Sequence, residues 1–268
     1  MFVTRLISGI VLIAIAAVTI IIGGGVWFAV VAALSFIGLF ELYRTMKLEK
    51  SLLGMAGYFL TAIYLTVTYL WIEEGQPMVI VLSVMVFFAI YVFTFPRYKL
   101  DQISFALMGI LYVPVLMTHM YQIRRMSDGL YLLPLVFVSA WGNDTCAYCV
   151  GMLIGKHKMS PKLSPKKSVE GFFGGIIGAV LLGMLYGRLL GEQIPSLYYP
   201  TAFCGILCGG GALIAVVGDL AASAIKRDTG IKDYGKLIPG HGGVLDRFDS
   251  VLFTAPMVYF LAVCLGAV

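Results

Sequence analysis

Residues 4–22 are TRLISGIVLIAIAAVTIII, a run of nineteen residues in which the only charge is on Arg5. A helix of about 20 apolar residues is long enough to cross the hydrocarbon core of a bilayer. The run continues past any small-residue cleavage site, as far as Ile22, so we expect a retained first span and not a signal peptide. Similar apolar runs recur along the whole chain, and they decide its fold class.

The composition excludes a soluble protein. Of the 268 residues, 60% are hydrophobic and 12% are charged, whereas soluble domains have about 45–50% and about 25%. The same figures exclude a disordered chain, a collagen-like chain and a secreted domain held by disulfides. The apolar runs show no period-2 alternation, which favours helices over a lipid-facing β-barrel. The sequence therefore predicts an all-α, polytopic integral membrane protein.

About nine transmembrane helices are predicted, at 4–22, 26–43, 51–72, 78–95, 103–121, 130–154, 171–190, 200–225 and 250–267. If the N-terminus is inside, sixteen of the nineteen lysines and arginines fall on the inner side, so we expect a cytoplasmic N-terminus. Two regions follow from the charge pattern. We expect residues 1–125 to form hydrophobic helices, about five spans, and residues 126–268 to form the membrane region that carries any catalytic chemistry, with cytoplasmic polar loops at 155–170 and 226–249.

Polar residues inside the predicted spans mark a candidate site. Asn143 and Asp144 lie in the middle of the sixth span, and Asp219 lies near the cytoplasmic end of the eighth. A charge at such a position costs roughly 3 kcal/mol or more on insertion scales, so these residues usually face a polar cavity. Ser223 and Lys226 follow Asp219 at spacings of four and three, which places all three on one helical face.

The segment 223–249, SAIKRDTGIKDYGKLIPGHGGVLDRFD, mixes cations, acids and glycines. Its lysines and arginines suit polyanionic phosphates, and its four aspartates supply the hard oxygen ligands that Mg²⁺ prefers. Gly242 and Gly243 allow close approach of a ligand to the backbone, and His241 between such glycines is the one histidine that we consider a site candidate. Contact with anionic lipids explains the cations but not the aspartates.

A further polar cluster precedes the seventh span. Lys166 and Lys167 follow Ser164, and Glu170 lies at the start of the span. Lysines just before a helix start suit an anionic headgroup, although a solvated cytoplasmic loop explains them equally well. The five cysteines lie in apolar stretches, where packing is the simpler explanation than a metal site.

These residues resemble the signature of the phosphatidate cytidylyltransferases, or CDP-diacylglycerol synthases. The matching positions are Ser223, Lys226, Arg227, Lys232, Asp233, Gly235, Pro239, His241, Gly242, Gly243, Asp246, Arg247 and Asp249. The stretch from Asn143 and Asp144 through 164–167 to 170–171 resembles the second polar region of the same family. The D-G-x-x-A-R opening of the CDP-alcohol phosphotransferases is not found at Asp128.

The resemblance implies the reaction of CTP with phosphatidic acid to give CDP-diacylglycerol and pyrophosphate, with Mg²⁺ as cofactor. The expected partners are CTP, phosphatidic acid and bilayer lipid, with a second copy of the chain in a homodimer and no nucleic acid. We expect a multi-pass protein of a bacterial inner (plasma) membrane, with the active site on the cytoplasmic side.

The hypothesis assigns roles to single residues. The catalytic set is Asp144, Asp219, Lys226, Asp246 and Asp249. Within it Asp219 and Asp246 hold the metal, and Asp144 and Asp249 position it or bind it through water. The substrate-binding set is Asn143, Ser164, Lys166, Lys167, Glu170, Ser223, Arg227, Lys232, Asp233, His241, Gly242, Gly243 and Arg247. Within these sets Lys226, Arg227 and Lys232 hold the triphosphate, Lys167 holds the lipid phosphate, and His241 with the adjacent glycines lines the nucleotide.

Two alternatives stay open at this point. One is a cation- or proton-coupled transporter in which Asp144 and Asp219 relay the ion. It requires polar groups that continue to the far side of the membrane. The other is a cytidylyltransferase for a different lipid phosphate, such as an isoprenoid phosphate, since either lipid needs only an apolar slot.

Overall fold

The computed structural model describes residues 2–72, 74–195, 197–238, 240 and 242–267. The chain folds into helices joined by short loops, with one small hairpin. The helices are α1 (Phe2–Ile22), α2 (Gly24–Thr45), α3 (Leu52–Tyr69), α4 (Gly75–Thr94), α5 (Leu100–Ile110), α6 (His119–Arg125), α7 (Gly129–Leu132), α8 (Pro134–Phe137), α9 (Asn143–Ile154), α10 (Val169–Leu190), α11 (Pro200–Asp228) and α12 (Leu245–Cys264).

Among the described residues, seven helices are long and apolar enough to cross a membrane. They are Gly24–Thr45, Leu52–Tyr69, Gly75–Thr94, Leu100–Arg125, Val169–Gln193, Pro200–Asp228 and Leu245–Cys264. Large apolar side chains such as Phe59, Phe93 and Leu189 are exposed on them, as expected for surfaces that face lipid. The helical backbone satisfies its own hydrogen bonds, which the bilayer interior requires. The chain is an all-α polytopic membrane protein.

The predicted number of nine spans is not confirmed. The predicted first span coincides with α1. The structure describes the side chains of this helix mainly between Val11 and Ile22. The predicted sixth span, 130–154, is broken into α7, α8, the π-helical segment Val138–Gly142 and α9. Pro134 stands at the first break, where its missing N–H ends regular helical hydrogen bonding. The π-helical segment then leads directly into the polar residues at the start of α9, and such irregularities are common at functional sites.

Two polar loops differ from the prediction. The loop at 155–170 contains an antiparallel hairpin of β1 (Lys158–Ser160) and β2 (Ser164–Ser168), which the helical prediction missed. At the end of β2, Ser168 Oγ accepts a hydrogen bond of 3.1 Å from Gly171 N and caps α10. The other loop is shorter than predicted, because α11 continues to Asp228 and α12 already begins at Leu245. Asp246 and Asp249 are therefore helical.

Helices α9, α10, α11 and α12 pack side by side in chain order. Glycines make this close packing possible. A Cβ at Gly174 or Gly178 would collide with side chains of α9, and a Cβ at Gly183 or Gly187 would collide with the backbone of α11. The spacing of four residues between these glycines in the sequence predicts close helix packing, and the structure confirms it.

The replacement Gly183→Ala should destabilise the protein. The added methyl group would meet the carbonyl oxygen of Cys204 on α11, and overpacking of this kind costs about 1–3 kcal/mol. We expect a lower melting temperature in detergent, although alanine is the better helix former. Gly9→Ala is the control, because nothing lies within 4 Å of a Cβ at Gly9. Equal melting temperatures for the two variants would contradict the packing argument.

Candidate active site

A cavity of about 900 Å³ is the setting for the candidate site. Its walls come from α1, α9, the hairpin, α10, α11 and the first turns of α12. Its lining includes apolar side chains, among them Leu12, Ile13 and Met152, and charged ones, among them Lys167 and Asp219. A pocket of this kind accommodates a ligand that is part apolar and part highly charged.

The carboxylate of Asp246 joins three parts of the chain. Its Oδ1 accepts a hydrogen bond of 3.0 Å from Lys226 Nζ on α11. Its Oδ2 accepts hydrogen bonds from Tyr234 N at 2.8 Å and from Gly243 N at 2.9 Å, both in the loop before α12. Asp246 is buried, and a buried carboxylate needs such partners to offset its lost hydration. It therefore fixes the backbone of the loop before α12 at Tyr234 and Gly243.

Tyr234 fixes the same loop from inside. Its phenol donates a hydrogen bond of 3.0 Å to the carbonyl oxygen of Ala222 on α11, and the Lys226 ammonium lies 5.3 Å from the ring centroid. Burial raises the pKa of the Tyr234 phenol above its ordinary value, so the group stays protonated and remains a donor.

An ion pair joins the hairpin to α11, because Lys167 Nζ contacts Asp219 Oδ2. Asp144 and Asp249 also line the cavity and interact electrostatically with Asp219. Asn143 is fully buried beside them, and within the described part of the chain neither its amide oxygen nor its amide nitrogen has a hydrogen-bond partner. A buried amide without a partner is uncommon, and here it lies on the cavity wall.

The structure brings about half of the predicted site residues to this one cavity. Those that line it are Asn143, Asp144, Ser164, Lys166, Lys167, Asp219, Asp246, Arg247 and Asp249. Lys226, Gly242 and Gly243 lie beside Asp246. Lys226 was expected to hold a triphosphate, yet it pairs with Asp246.

Other predicted residues lie away from the cavity wall. Arg227, Lys232 and Asp233 are exposed, and Ser223 is half-buried on α11. Glu170 pairs with His157, with 2.6 Å between its Oε1 and the His157 Nδ1. His241 lies outside the described residues. The roles assigned to these residues stay predictions.

Sequence reasoning missed three residues. Lys158 of the hairpin lines the cavity. On α2, Glu41 accepts hydrogen bonds from Val244 N and Leu245 N, at 3.1 and 2.9 Å, and Arg44 donates to the carbonyl oxygen of Tyr234. The sequence contains a signal for Glu41, because an acid within an apolar run indicates a polar contact inside the protein.

The apolar spans, a cavity lined by both charged and apolar residues, and two carboxylates paired with lysines, one of them buried, define a membrane-embedded protein with an enzyme-like site. A model of the cytidylyltransferase family matches residues 3–265, and the chain belongs to this family. It is a membrane-spanning cytidylyltransferase. The resemblance found in the motifs is confirmed.

Curated relatives support the same assignment. The phosphatidate cytidylyltransferase of Bacillus subtilis (strain 168) is 31% identical over 265 residues, which cover 96% of each protein. Proteins of the same name from Staphylococcus saprophyticus and Staphylococcus aureus (strain COL) are 31% and 30% identical over 193 and 205 residues. Each of these two matches covers 72% of both chains.

The replacement Asp246→Asn should destabilise the loop 229–244. An amide group cannot accept all three hydrogen bonds, and Lys226 loses its counter-ion. Breaking a buried ion pair by removing one partner costs about 3–5 kcal/mol. We expect a melting temperature several degrees lower in detergent. Asp233→Asn removes an exposed carboxylate from the same loop and should leave it unchanged. Equal stability of the two variants would show that Asp246 does not organise this loop.

Proposed function

We propose that the protein makes CDP-diacylglycerol and pyrophosphate from CTP and phosphatidic acid, as a step of phospholipid biosynthesis. The observation that carries this proposal is the similarity over 96% of the chain to a protein named phosphatidate cytidylyltransferase. The site supports it chemically. A phosphate oxygen of the lipid attacks the α-phosphorus of CTP, the bond from that phosphorus to the bridging oxygen of the β-phosphate breaks, and pyrophosphate leaves.

Repulsion between two anions is the main obstacle to this reaction. Lys158, Lys166, Lys167 and Arg247 line the cavity, and these cations offset the negative charge of the phosphates and hold them in place. The lipid phosphate is already ionised at neutral pH, so the reaction does not need a strong general base. We assign Lys167 to the lipid phosphate, and Arg247 with the hairpin lysines to the triphosphate.

Mg²⁺ is the proposed cofactor. Among the described residues no three His, Cys, Asp or Glu side chains converge on one point as a preformed metal site. Mg²⁺ is usually held by one or two carboxylates together with substrate phosphates, and Asp219, Asp144 and Asp249 on the cavity wall fit that pattern. The ion, when bound, supplies charge neutralisation at the phosphates. Asp246 as a metal ligand stays a prediction, since both of its oxygens already accept hydrogen bonds.

The lipid chains need an apolar wall next to the phosphate site. Leu12, Ile13 and Ala16 of α1 and Phe172 of α10 form such a wall. A lipid headgroup at the membrane surface and a soluble nucleotide therefore both reach one cavity. We propose that this end of the bundle is cytoplasmic and that the membrane is a bacterial inner membrane. A homodimer is part of the same proposal.

The transporter alternative is disfavoured by the placement of polar groups. A second cavity, of about 340 Å³, lies near Trp71 and His119 and shares no lining residue with the first. A relay between Asp144 and Asp219 would need a polar path to the other end of the bundle. Among the described residues, no lining residue joins the two cavities into such a path.

The test is an assay in detergent micelles with α-labelled CTP and phosphatidic acid, with and without Mg²⁺. We expect labelled CDP-diacylglycerol and pyrophosphate in equal amounts, only with the metal present. Asp219→Asn should lower kcat by about a hundredfold or more, because it removes a carboxylate that faces both Lys167 and the phosphates.

Glu192→Gln is the matched control, since Glu192 is exposed on the short helical turn Gly191–Gln193, away from the cavity. It should keep wild-type activity. An isoprenoid phosphate tested in parallel separates the two lipid classes. Transfer to the isoprenoid phosphate alone would overturn the proposed substrate. Full activity of Asp219→Asn would show that Asp219 has no catalytic role.

A further inference from the structure

Glu41 is a buried acid near the end of α2, and only 4% of it is exposed. Its Oε1 accepts a hydrogen bond from Val244 N and its Oε2 accepts one from Leu245 N, while Arg44 on its own helix interacts with it electrostatically. Val244 and Leu245 lie about 200 positions further along the chain. They form the start of α12, where the first backbone N–H groups have no partner within the helix.

The glycines of the loop leave space for this carboxylate. A Cβ at Gly243 would meet Glu41 Oε1, Oε2 and Cδ before any other atom outside its own neighbourhood. A Cβ at Gly235 would likewise meet Oε1 and Cδ of Glu41. Arg44, one turn further along α2, donates to the carbonyl oxygen of Tyr234 in the same loop. Helix α2 therefore holds both ends of the segment 234–245.

The consequence reaches the cavity through the first turns of α12. Glu41 binds the helix start at Val244 and Leu245, and the next residues are Asp246, Arg247 and Asp249, which line the cavity. A negative charge at a helix N-terminus is also favourable electrostatically. The axial position and rotation of α12 at this point decide where those three side chains lie.

A simple packing role explains Glu41 poorly. Burying a carboxylate is costly unless it is well paired, and an apolar side chain would fill the same volume without that cost. The two backbone N–H donors and the space left by the two glycines together form a binding site for a carboxylate. The geometry points to a function that needs the start of α12 held by one fixed, charged partner.

We propose that Glu41 is a positioning residue for cytidylyl transfer: it holds the start of α12 so that Asp246, Arg247 and Asp249 face the reacting phosphates. This inference rests on the proposed function for its kinetic consequence. Its structural consequence, a loop 234–245 that is ordered through Glu41, holds whatever the substrate is.

The kinetic test compares Glu41→Ala, Glu41→Gln and Ser35→Ala. Misalignment by a fraction of an ångström affects the transition state more than ground-state binding, so Glu41→Ala should lower kcat by about ten- to a hundredfold. The KM for CTP should rise by a smaller factor than kcat falls, because the hairpin lysines that also hold the triphosphate are untouched. Glu41→Gln keeps one acceptor and the side-chain volume, and it should retain more activity than Glu41→Ala. Ser35, which is buried on the same helix and donates a hydrogen bond of 2.8 Å to Val31 O, gives the control.

A double-mutant cycle tests the contact itself. Gly243→Ala places a methyl group against the Glu41 carboxylate and should lower kcat in the wild-type background. In the Glu41→Ala background that space is free, so the further loss should be clearly smaller. Equal fold-losses in the two backgrounds would overturn the proposal. A change in melting temperature alone, with unchanged kcat for folded Glu41→Gln and Glu41→Ala, would show a merely structural role and would also overturn it.

Hydrogen exchange tests the positioning role of Glu41 independently of the proposed reaction. Amide exchange over 234–247 should be faster in Glu41→Ala than in the wild type, and unchanged in Ser35→Ala. This measurement requires no turnover. If the wild type transfers no cytidylyl group to phosphatidic acid but the loop exchanges faster in Glu41→Ala, the proposed substrate fails and the positioning role of Glu41 stands. If exchange is the same in all three proteins, the positioning role is wrong. Should Glu41→Ala not fold, Glu41→Gln decides both measurements.

Discussion

The site depends on one buried carboxylate. Asp246 binds Lys226 on α11 and two backbone N–H groups of the loop 229–244, and it does so from the first turn of α12. A buried charge is costly, and the cost is offset only while all of these partners stay in place. The loop therefore has little freedom, and Arg247 and Asp249 are held toward the cavity by the same turn of helix. Glu41 binds that turn from α2, so the start of α12 is fixed from two sides.

The charged residues of the site lie in a cavity, away from the apolar surfaces of the helices. Lipid-facing surfaces of the described helices are apolar, whereas the cavity combines Lys167, Asp219 and Asp144 with an apolar wall from α1. An enzyme that joins a nucleotide to a lipid phosphate must let a water-soluble and a membrane-bound substrate reach the same atoms. A cavity lined by both charged and apolar residues meets that requirement, and the membership of the chain in the cytidylyltransferase family agrees with it.

Sequence reasoning recovers the parts of this protein that depend on local pattern. Hydropathy alone identifies most spans, because a span of about 20 apolar residues has few other uses, and acids inside apolar runs point to Asp144 and Asp219. It misses what depends on contacts between distant residues: the break after Leu132, the hairpin, and the contact of Glu41 on α2 with the start of α12. Sequence reasoning also does not predict which charged residues pair with each other. The spacing of Asp219 and Lys226 puts them on one helical face, yet Asp219 pairs with Lys167 and Lys226 pairs with Asp246. The division of the chain at residues 125 and 126 stays a prediction.

The most direct measurement is a structure of the protein with a CTP analogue whose α,β-bridging oxygen is replaced by a methylene group, so that it cannot be cleaved. The account predicts that the triphosphate lies in the cavity between the hairpin and α12, in contact with Lys167 and Arg247, with its α-phosphate open toward the apolar wall of α1. A nucleotide bound elsewhere, or a cavity that does not take up the nucleotide at concentrations that support turnover, would contradict it.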